Sequence, residues 1–106
     1  MSNIENYNSL IEYSNQNKDQ LVVIDFKASW CGPCKMIHPY IMELQEQYPH
    51  VRFFEVDVDD TNHEETVAVF NITAMPTFIY MKNGTVLSTV CGANREEISN
   101  NLTKFL

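Results

Sequence analysis

Trp30-Cys31-Gly32-Pro33-Cys34-Lys35 is the stretch on which the fold turns. It follows Leu21-Val22-Val23-Ile24-Asp25-Phe26, a run apolar on both faces, as expected of a strand buried inside a parallel sheet. After it, Met36, Ile37, Tyr40, Ile41, Leu44 and Tyr48 recur at helical spacing until Pro49 stops the pattern. The two thiols therefore sit where a strand hands over to a helix. In open α/β sheets the working site lies outside the carboxyl ends of the strands, and a helix N-terminus there offers free N–H groups and a positive dipole.

At that junction Cys31 is expected at the mouth of the helix. Pro33 falls in the first turn, where its missing N–H costs no intrahelical bond. The backbone N–H groups of Cys34 and Lys35 are expected to stay free and to donate to a Cys31 thiolate. With the dipole they lower its pKa and make it the attacking nucleophile, while Cys34, one turn in and more buried, becomes the resolving thiol. Gly32 lets another chain come close. The corresponding chemistry is thiol–disulfide exchange through a mixed disulfide on Cys31. A zinc site would need four ligands, and no second Cys-x-x-Cys is present; His38 and Cys91 could complete one only by accident of fold. No metal is expected. A purely structural disulfide is also disfavoured, because so short a loop constrains the unfolded chain little.

Asp25 alone interrupts the apolar run. One reading is that it ends the strand and hydrogen-bonds a turn. The other is that burial raises its pKa and lets it exchange a proton with the nearby Cys34 thiol. Only the fold can choose between them.

A length of 106 residues fits one domain, 1–106, with a single core. Seven basic against fourteen acidic side chains, a net charge of −7, argue against binding nucleic acid or an anionic membrane surface. The longest unbroken apolar run, Leu21 to Ile24, is far too short to span a bilayer. Met1-Ser2-Asn3-Ile4-Glu5-Asn6 lacks the basic and apolar regions of a signal peptide, so a cytoplasmic protein is expected. Three cysteines, an odd number, do not make a secreted disulfide framework.

Elsewhere, Ile4, Tyr7, Leu10, Ile11 and Ser14 form a loose helical stripe after a short strand or coil. Pro39 interrupts the helix that follows the thiols and should kink it. Val51 to Val58 reads as a strand ending in the acidic turn Asp57-Val58-Asp59-Asp60, whose plain reading is a solvated loop with capping duties. Thr61-Asn62-His63-Glu64 fits a capping box opening a helix through Phe70, with Asn71 closing it. Thr77 to Met81 and Val86 to Val90 flank Asn83-Gly84, a hairpin signal. Gly92 breaks the second strand, and Ala93-Asn94-Arg95-Glu96-Glu97 opens a last helix. The expected order is βαβαβαββα, an α/β fold with a central mixed five-stranded sheet flanked by four helices.

With the Cys motif, Asp25, Pro39, Met75-Pro76-Thr77, Lys82-Asn83-Gly84 and Gly92-Ala93-Asn94 in place, the chain resembles the thioredoxin family over essentially its whole length. The resemblance implies the thioredoxin fold and a protein disulfide reductase acting through Cys31 and Cys34. Gly32, Pro33 and Lys35 would tune the pair. Asp25 would be the buried acid that manages the Cys34 proton. Pro76 would be a cis-proline that turns the Met75 backbone toward the thiols, where an extended substrate segment can pair by strand addition. Trp30, Val58, Met75, Pro76, Thr77, Gly92 and Ala93 would form the docking surface around Cys31. No cofactor is bound by the chain, and FAD and NADPH would belong to a partner, thioredoxin reductase. Peroxiredoxins and ribonucleotide reductase would be among the disulfide-containing partners, and the protein would be a monomer.

Some positions depart from parts of the family. Glu55 stands where many bacterial members carry Lys, which removes the basic partner that position would give Asp25, and Lys27 stands where they often carry an aromatic. Ala74 replaces an extra Cys of some animal members, excluding a disulfide-linked dimer through that position. Cys91, at the rim of the docking surface, is either a small apolar residue or a secondary redox site. Two rival functions remain. A disulfide isomerase type would favour Gly-His between the cysteines and an export signal, and a non-redox binding or chaperone module would need neither thiol.

Overall fold

The computed structural model describes residues 1–106. In chain order it contains β1 (Ser2–Asn3), α1 (Tyr7–Gln16), β2 (Val22–Lys27), α2 (Gly32–Gln47) and β3 (Arg52–Asp57). A 3-10 turn (Thr61–His63) then runs into α3 (Glu64–Val69), followed by β4 (Thr77–Lys82), β5 (Thr85–Cys91) and α4 (Arg95–Lys104). The expected order βαβαβαββα is the observed one. The five strands make one sheet in the order β1-β3-β2-β4-β5. β1, β3 and β2 run parallel, while β4 is antiparallel to both β2 and β5. β2 is thus central and buried, as its apolar run implies, but only one of its neighbours is parallel.

Alternation along β2 divides the core into two layers. Val23 faces α2 and α4, packing with Phe53, Phe78 and Tyr80 against Ile37, Ile41, Leu44, Ile98 and Leu102. Val22, Ile24 and Phe26 point the other way, into a layer shared with Leu10 of α1, Phe54, Val56, Ile79 and Met81. Val67 and Phe70 close that layer from the side of α3. Tyr80, fully buried, donates its hydroxyl to the Ile98 carbonyl over 2.7 Å, which ties α4 to the sheet without leaving a polar group orphaned.

Local chemistry sets the ends of these elements. Asn6 caps α1 by accepting from the Ser9 N–H at 2.9 Å, and Asn94 caps α4 by accepting from the Glu97 N–H at 3.0 Å. The β4–β5 hairpin turns on Asn83 and Gly84, at φ 52° and 74°, the left-handed pair its sequence demands. A register shift at Tyr80/Met81, which the sequence did not reveal, places an extra residue in β5.

The capping box expected over Thr61–Glu64 is not made. Asp60, one residue earlier, accepts from the Asn62 N–H at 2.9 Å and starts the 3-10 turn, so α3 begins only at Glu64, without a side-chain cap. A carboxylate reaching its own chain two residues on forms an Asx turn, which competes successfully with the box. Asn71, at φ 54°, ends α3 in the left-handed conformation its sequence signal implied.

Candidate active site

β2 ends at Lys27, and Ala28-Ser29-Trp30 lead into Cys31, the N-cap of α2. Cys31 and Cys34 are joined by a disulfide, with Cα atoms 5.3 Å apart, inside the range such a bridge needs. The Cys34 N–H donates to Cys31 Sγ at 3.1 Å, so the sulfur itself caps the helix. Pro33 occupies the first turn, as expected. Two expectations are corrected. The Lys35 N–H is not free: it donates to the Cys31 carbonyl at 3.2 Å, because the carbonyl of an N-cap residue accepts the first intrahelical bond. Nor is Cys34 the more buried sulfur residue, since Cys31 is 4 % exposed and Cys34 7 %. Ala28, Cys31 and Cys34 form one small buried cluster against which Val58 and Met75 pack from loops far away in sequence, and Cys34 also lines an open cavity of about 320 Å³ with Lys27, Lys35, His38 and Asp57.

Asp25 lies on the α2 face of β2, two residues on from Val23. Cys34 is on the buried side of α2 with Ile37 and Ile41. Both groups therefore belong to the same layer, at the end of β2 that leads to the thiols. Asp25 is buried within the strand, paired in register with Glu55 and Phe78. It does not end the strand or hydrogen-bond a turn. Its Oδ1 has no hydrogen-bond partner. Burial pushes its pKa up to about 7; Lys27 pulls it down and Glu55 pushes it further up. A carboxyl with that value exchanges protons near neutral pH.

Around the disulfide, the residues expected to form a docking surface differ in exposure. Trp30 is 65 % exposed, and its indole Nε1 donates to Asp59 Oδ2 at 2.7 Å. Gly32 and Pro33 are exposed, and a Cβ on Gly32 would meet nothing within 4 Å, so the space above it is open to an approaching chain. Val58 and Met75 are half-buried against Cys31 and Cys34. The Met75–Pro76 bond is cis. The Pro76 carbonyl accepts from the Gly92 N–H at 2.8 Å, which brings the end of β5 to the proline loop. Gly92 has φ 99°, a conformation that favours glycine, and Ala93 beside it packs half-buried against the main core. Thr77 is buried, its hydroxyl donating to the Ala74 carbonyl at 2.6 Å. Cys91 is a free, exposed thiol at the end of β5, opposite Thr77.

Asp59 and the Lys27–Glu55 ion pair, 3.0 Å across, escaped the sequence reading. The acidic turn carried a signal for Asp59 only as a cluster of charge. Lys27 could have been placed from its spacing, since residues two apart on a strand share a face.

The thioredoxin family model matches residues 2–104. The chain belongs to the thioredoxin family. It is 46 % identical over 102 residues to thioredoxin H3 of Arabidopsis thaliana, covering 95 % of this chain and 83 % of that one. The thioredoxin of Fasciola hepatica superposes with a TM-score of 0.93 at 38 % identity, covering both chains completely. A further similar chain comes from a structure concerned with how the thiol of yeast mitochondrial 1-Cys peroxiredoxin is resolved via glutathione/thioredoxin systems. It has a TM-score of 0.89 and 34 % identity, covering 98 % of this chain and 94 % of that one. The fold is the thioredoxin fold, and thioredoxins are thiol–disulfide oxidoreductases that work through a redox-active disulfide. The Cys31–Cys34 pair supplies that disulfide here. Members of this family are reduced by thioredoxin reductase and act on disulfide-containing proteins. No helix of this chain is long and apolar enough to cross a membrane.

Proposed function

We propose that this thioredoxin is a general protein disulfide reductase in which Cys31 attacks and Cys34 resolves. The observation that carries the assignment is the cap: Cys31 Sγ stands at the N-terminus of α2, accepting from the Cys34 N–H at 3.1 Å. The helix dipole and that N–H favour the thiolate at Cys31 over any other position in the pair. In the forward step the Cys31 thiolate bonds to one substrate sulfur and expels the other as a thiolate. Cys34 then loses its proton to Asp25 and attacks Cys31 Sγ. The internal disulfide re-forms, and the second substrate sulfur leaves with the bonding pair. Reduction of the disulfide by the partner reductase, which carries FAD and NADPH, completes the cycle.

Gly32, Pro33 and Lys35 shape the first turn. Trp30, Val58, Met75, Pro76, Gly92 and Ala93 receive the substrate chain, with Thr77 bracing the proline loop from inside. Among the partners we place peroxiredoxins, a reading supported by the yeast peroxiredoxin structure, and ribonucleotide reductase. The chain acts as a single-domain cytoplasmic monomer. Cys91 is a candidate secondary redox site, because its thiol is free and exposed one residue before Gly92; mass spectrometry after mild peroxide treatment that finds it always unmodified removes that role. Insulin reduction with dithiothreitol as electron source, run beside Cys31→Ser, tests the whole. Rapid precipitation of insulin chains that disappears in the variant supports the assignment, and equal rates in both overturn it.

A further inference from the structure

The cavity beside the disulfide meets only one of its two cysteines. Cys34 lines it with Lys35 and His38 of α2, Lys27 of β2 and Asp57 of β3, whereas Cys31, Gly32, Pro33, Met75 and Pro76 do not. It therefore reaches Cys34 from a side that is neither that of Cys31 nor that of the surface assigned to the substrate chain. At about 320 Å³ it suits a small molecule. Its charge is also unlike that of the chain. The net charge is −7, yet two of the seven basic side chains, Lys27 and Lys35, and one of the three histidines line this one cavity. Asp57 is the only carboxylate among them, and its Oδ1 already accepts from the Asp59 N–H at 2.9 Å. Lys27 is held by Glu55 at 3.0 Å, while Lys35 pairs with no carboxylate. That cation stands next to Cys34 in the chain, and His38, four residues on, shares the helix surface with the thiol.

We propose that this cavity binds low-mass anionic thiols and admits them to Cys34, a route by which a small molecule opens the disulfide without using the docking surface. The thiolate of the small molecule bonds to Cys34 Sγ. The Cys31–Cys34 bond breaks, and Cys31 leaves with the bonding pair. A second molecule of the same thiol then attacks the sulfur of the first, releasing a small disulfide and the Cys34 thiolate, which takes a proton from solvent. Two small thiols have lost two electrons, and the protein disulfide has gained them. Exchange of this kind needs the attacking sulfur in line with the bond that breaks, and a cavity lined by Cys34 but not by Cys31 offers that approach. Attack at Cys34 also expels the better leaving group. Cys31 Sγ accepts from the Cys34 N–H at the α2 terminus, and the thiol with the lower pKa leaves faster. A protein disulfide is too large to enter, so the route is confined to small molecules.

The test compares thiols that differ in charge. The oxidised protein is mixed at low salt with 2-mercaptoethanesulfonate, 2-mercaptoethanol or cysteamine at equal thiolate concentration, and opening of the disulfide is followed through the fluorescence of Trp30, the single tryptophan. The sulfonate should react roughly three- to tenfold faster than the neutral thiol, and cysteamine more slowly than both. His38→Glu, which puts a negative charge on the cavity wall, should abolish that preference. The position of attack is read in Cys31→Ser, whose serine keeps the helix cap. There the Cys34 thiolate should attack the symmetric disulfide of mercaptoethanesulfonate, expel one half as its thiolate and carry the other as a mass shift, and it should do so faster than with cystamine. Equal rates for the three thiols, a sulfonate preference that survives His38→Glu, or a Cys34 that stays unlabelled in Cys31→Ser overturns the site. Neither measurement uses a protein substrate, so failure here leaves the reductase reading standing, and failure of the insulin assay leaves this one.

Discussion

Trp30 and Asp59, twenty-nine positions apart, are joined by a 2.7 Å hydrogen bond from the indole Nε1 to a carboxylate oxygen. This bond fastens the exposed ring, which precedes the disulfide, to the turn that follows β3. A charge-assisted bond at the surface adds little to global stability, but it holds the large exposed ring next to the disulfide in one orientation.

Asp59→Asn should therefore raise the KM for insulin by about two- to fivefold, the equivalent of ~0.5–1 kcal/mol of lost binding, with kcat nearly unchanged. Urea unfolding should shift by less than about 1 kcal/mol. A large fall in kcat with unchanged KM would show that the bond serves the chemistry and not the docking.

Asp25→Asn should stabilise the oxidised protein at pH 8 and not at pH 4. The carboxyl pKa is pushed from 3.8 to about 7 by burial, so between those values the native chain holds a proton that the unfolded chain has released. The stability this group contributes is complete below its unfolded pKa and is lost as the pH rises through 7. Denaturant titrations should show a gain on the order of 2–4 kcal/mol at pH 8, shrinking to near zero at pH 4. A gain independent of pH would assign the effect to packing.

Cys34→Ser should accumulate a covalent adduct with a disulfide-bonded substrate, visible on a non-reducing gel and released by dithiothreitol, because the mixed disulfide on Cys31 then lacks its resolving thiol. Cys31→Ser should give none. Adduct formation by Cys31→Ser alone would reverse the two roles.

Gly84→Ala should destabilise the fold by about 1 kcal/mol through its left-handed backbone. Gly84 sits at φ 74°, and a Cβ there would stand 2.6 Å from the Asn15 Oδ1 atom. That side chain is exposed and can swing away, so most of the cost is conformational. The insulin-reduction rate at 25 °C should be unchanged, because the hairpin turn lies far along β4 from Pro76. A Tm equal to that of the wild type would refute the backbone argument.

Much of this architecture is legible in the chain because its signals are local. The apolar run at Leu21–Phe26, the proline in the first turn of α2 and the Asn83-Gly84 pair each specify their element within a few residues. What stayed hidden depends on contacts between distant segments. The shelter over the cysteine pair comes from Val58 and Met75, and the Lys27–Glu55 pair exists only once β2 and β3 are in register. The capping box at Thr61 misled because Asp60 offered the backbone a nearer partner, and sequence pattern does not rank two competing caps. Asp25 was left with two readings because strand alternation says which face it takes, while only the sheet order says what covers that face.

The cap at Cys31 makes the reacting sulfur part of the scaffold, and this closes a thermodynamic cycle. Oxidised and reduced, folded and unfolded, form four corners of a square. Whatever the α2 terminus gains when the disulfide sulfur becomes a thiolate must appear equally as a shift of reduction potential away from that of the unstructured peptide. For a two-electron couple, about 30 mV corresponds to 1.4 kcal/mol. Folding stability measured in the two oxidation states is then an electrode reading taken without an electrode, and a change that frays the first turn of α2 alters both measurements together.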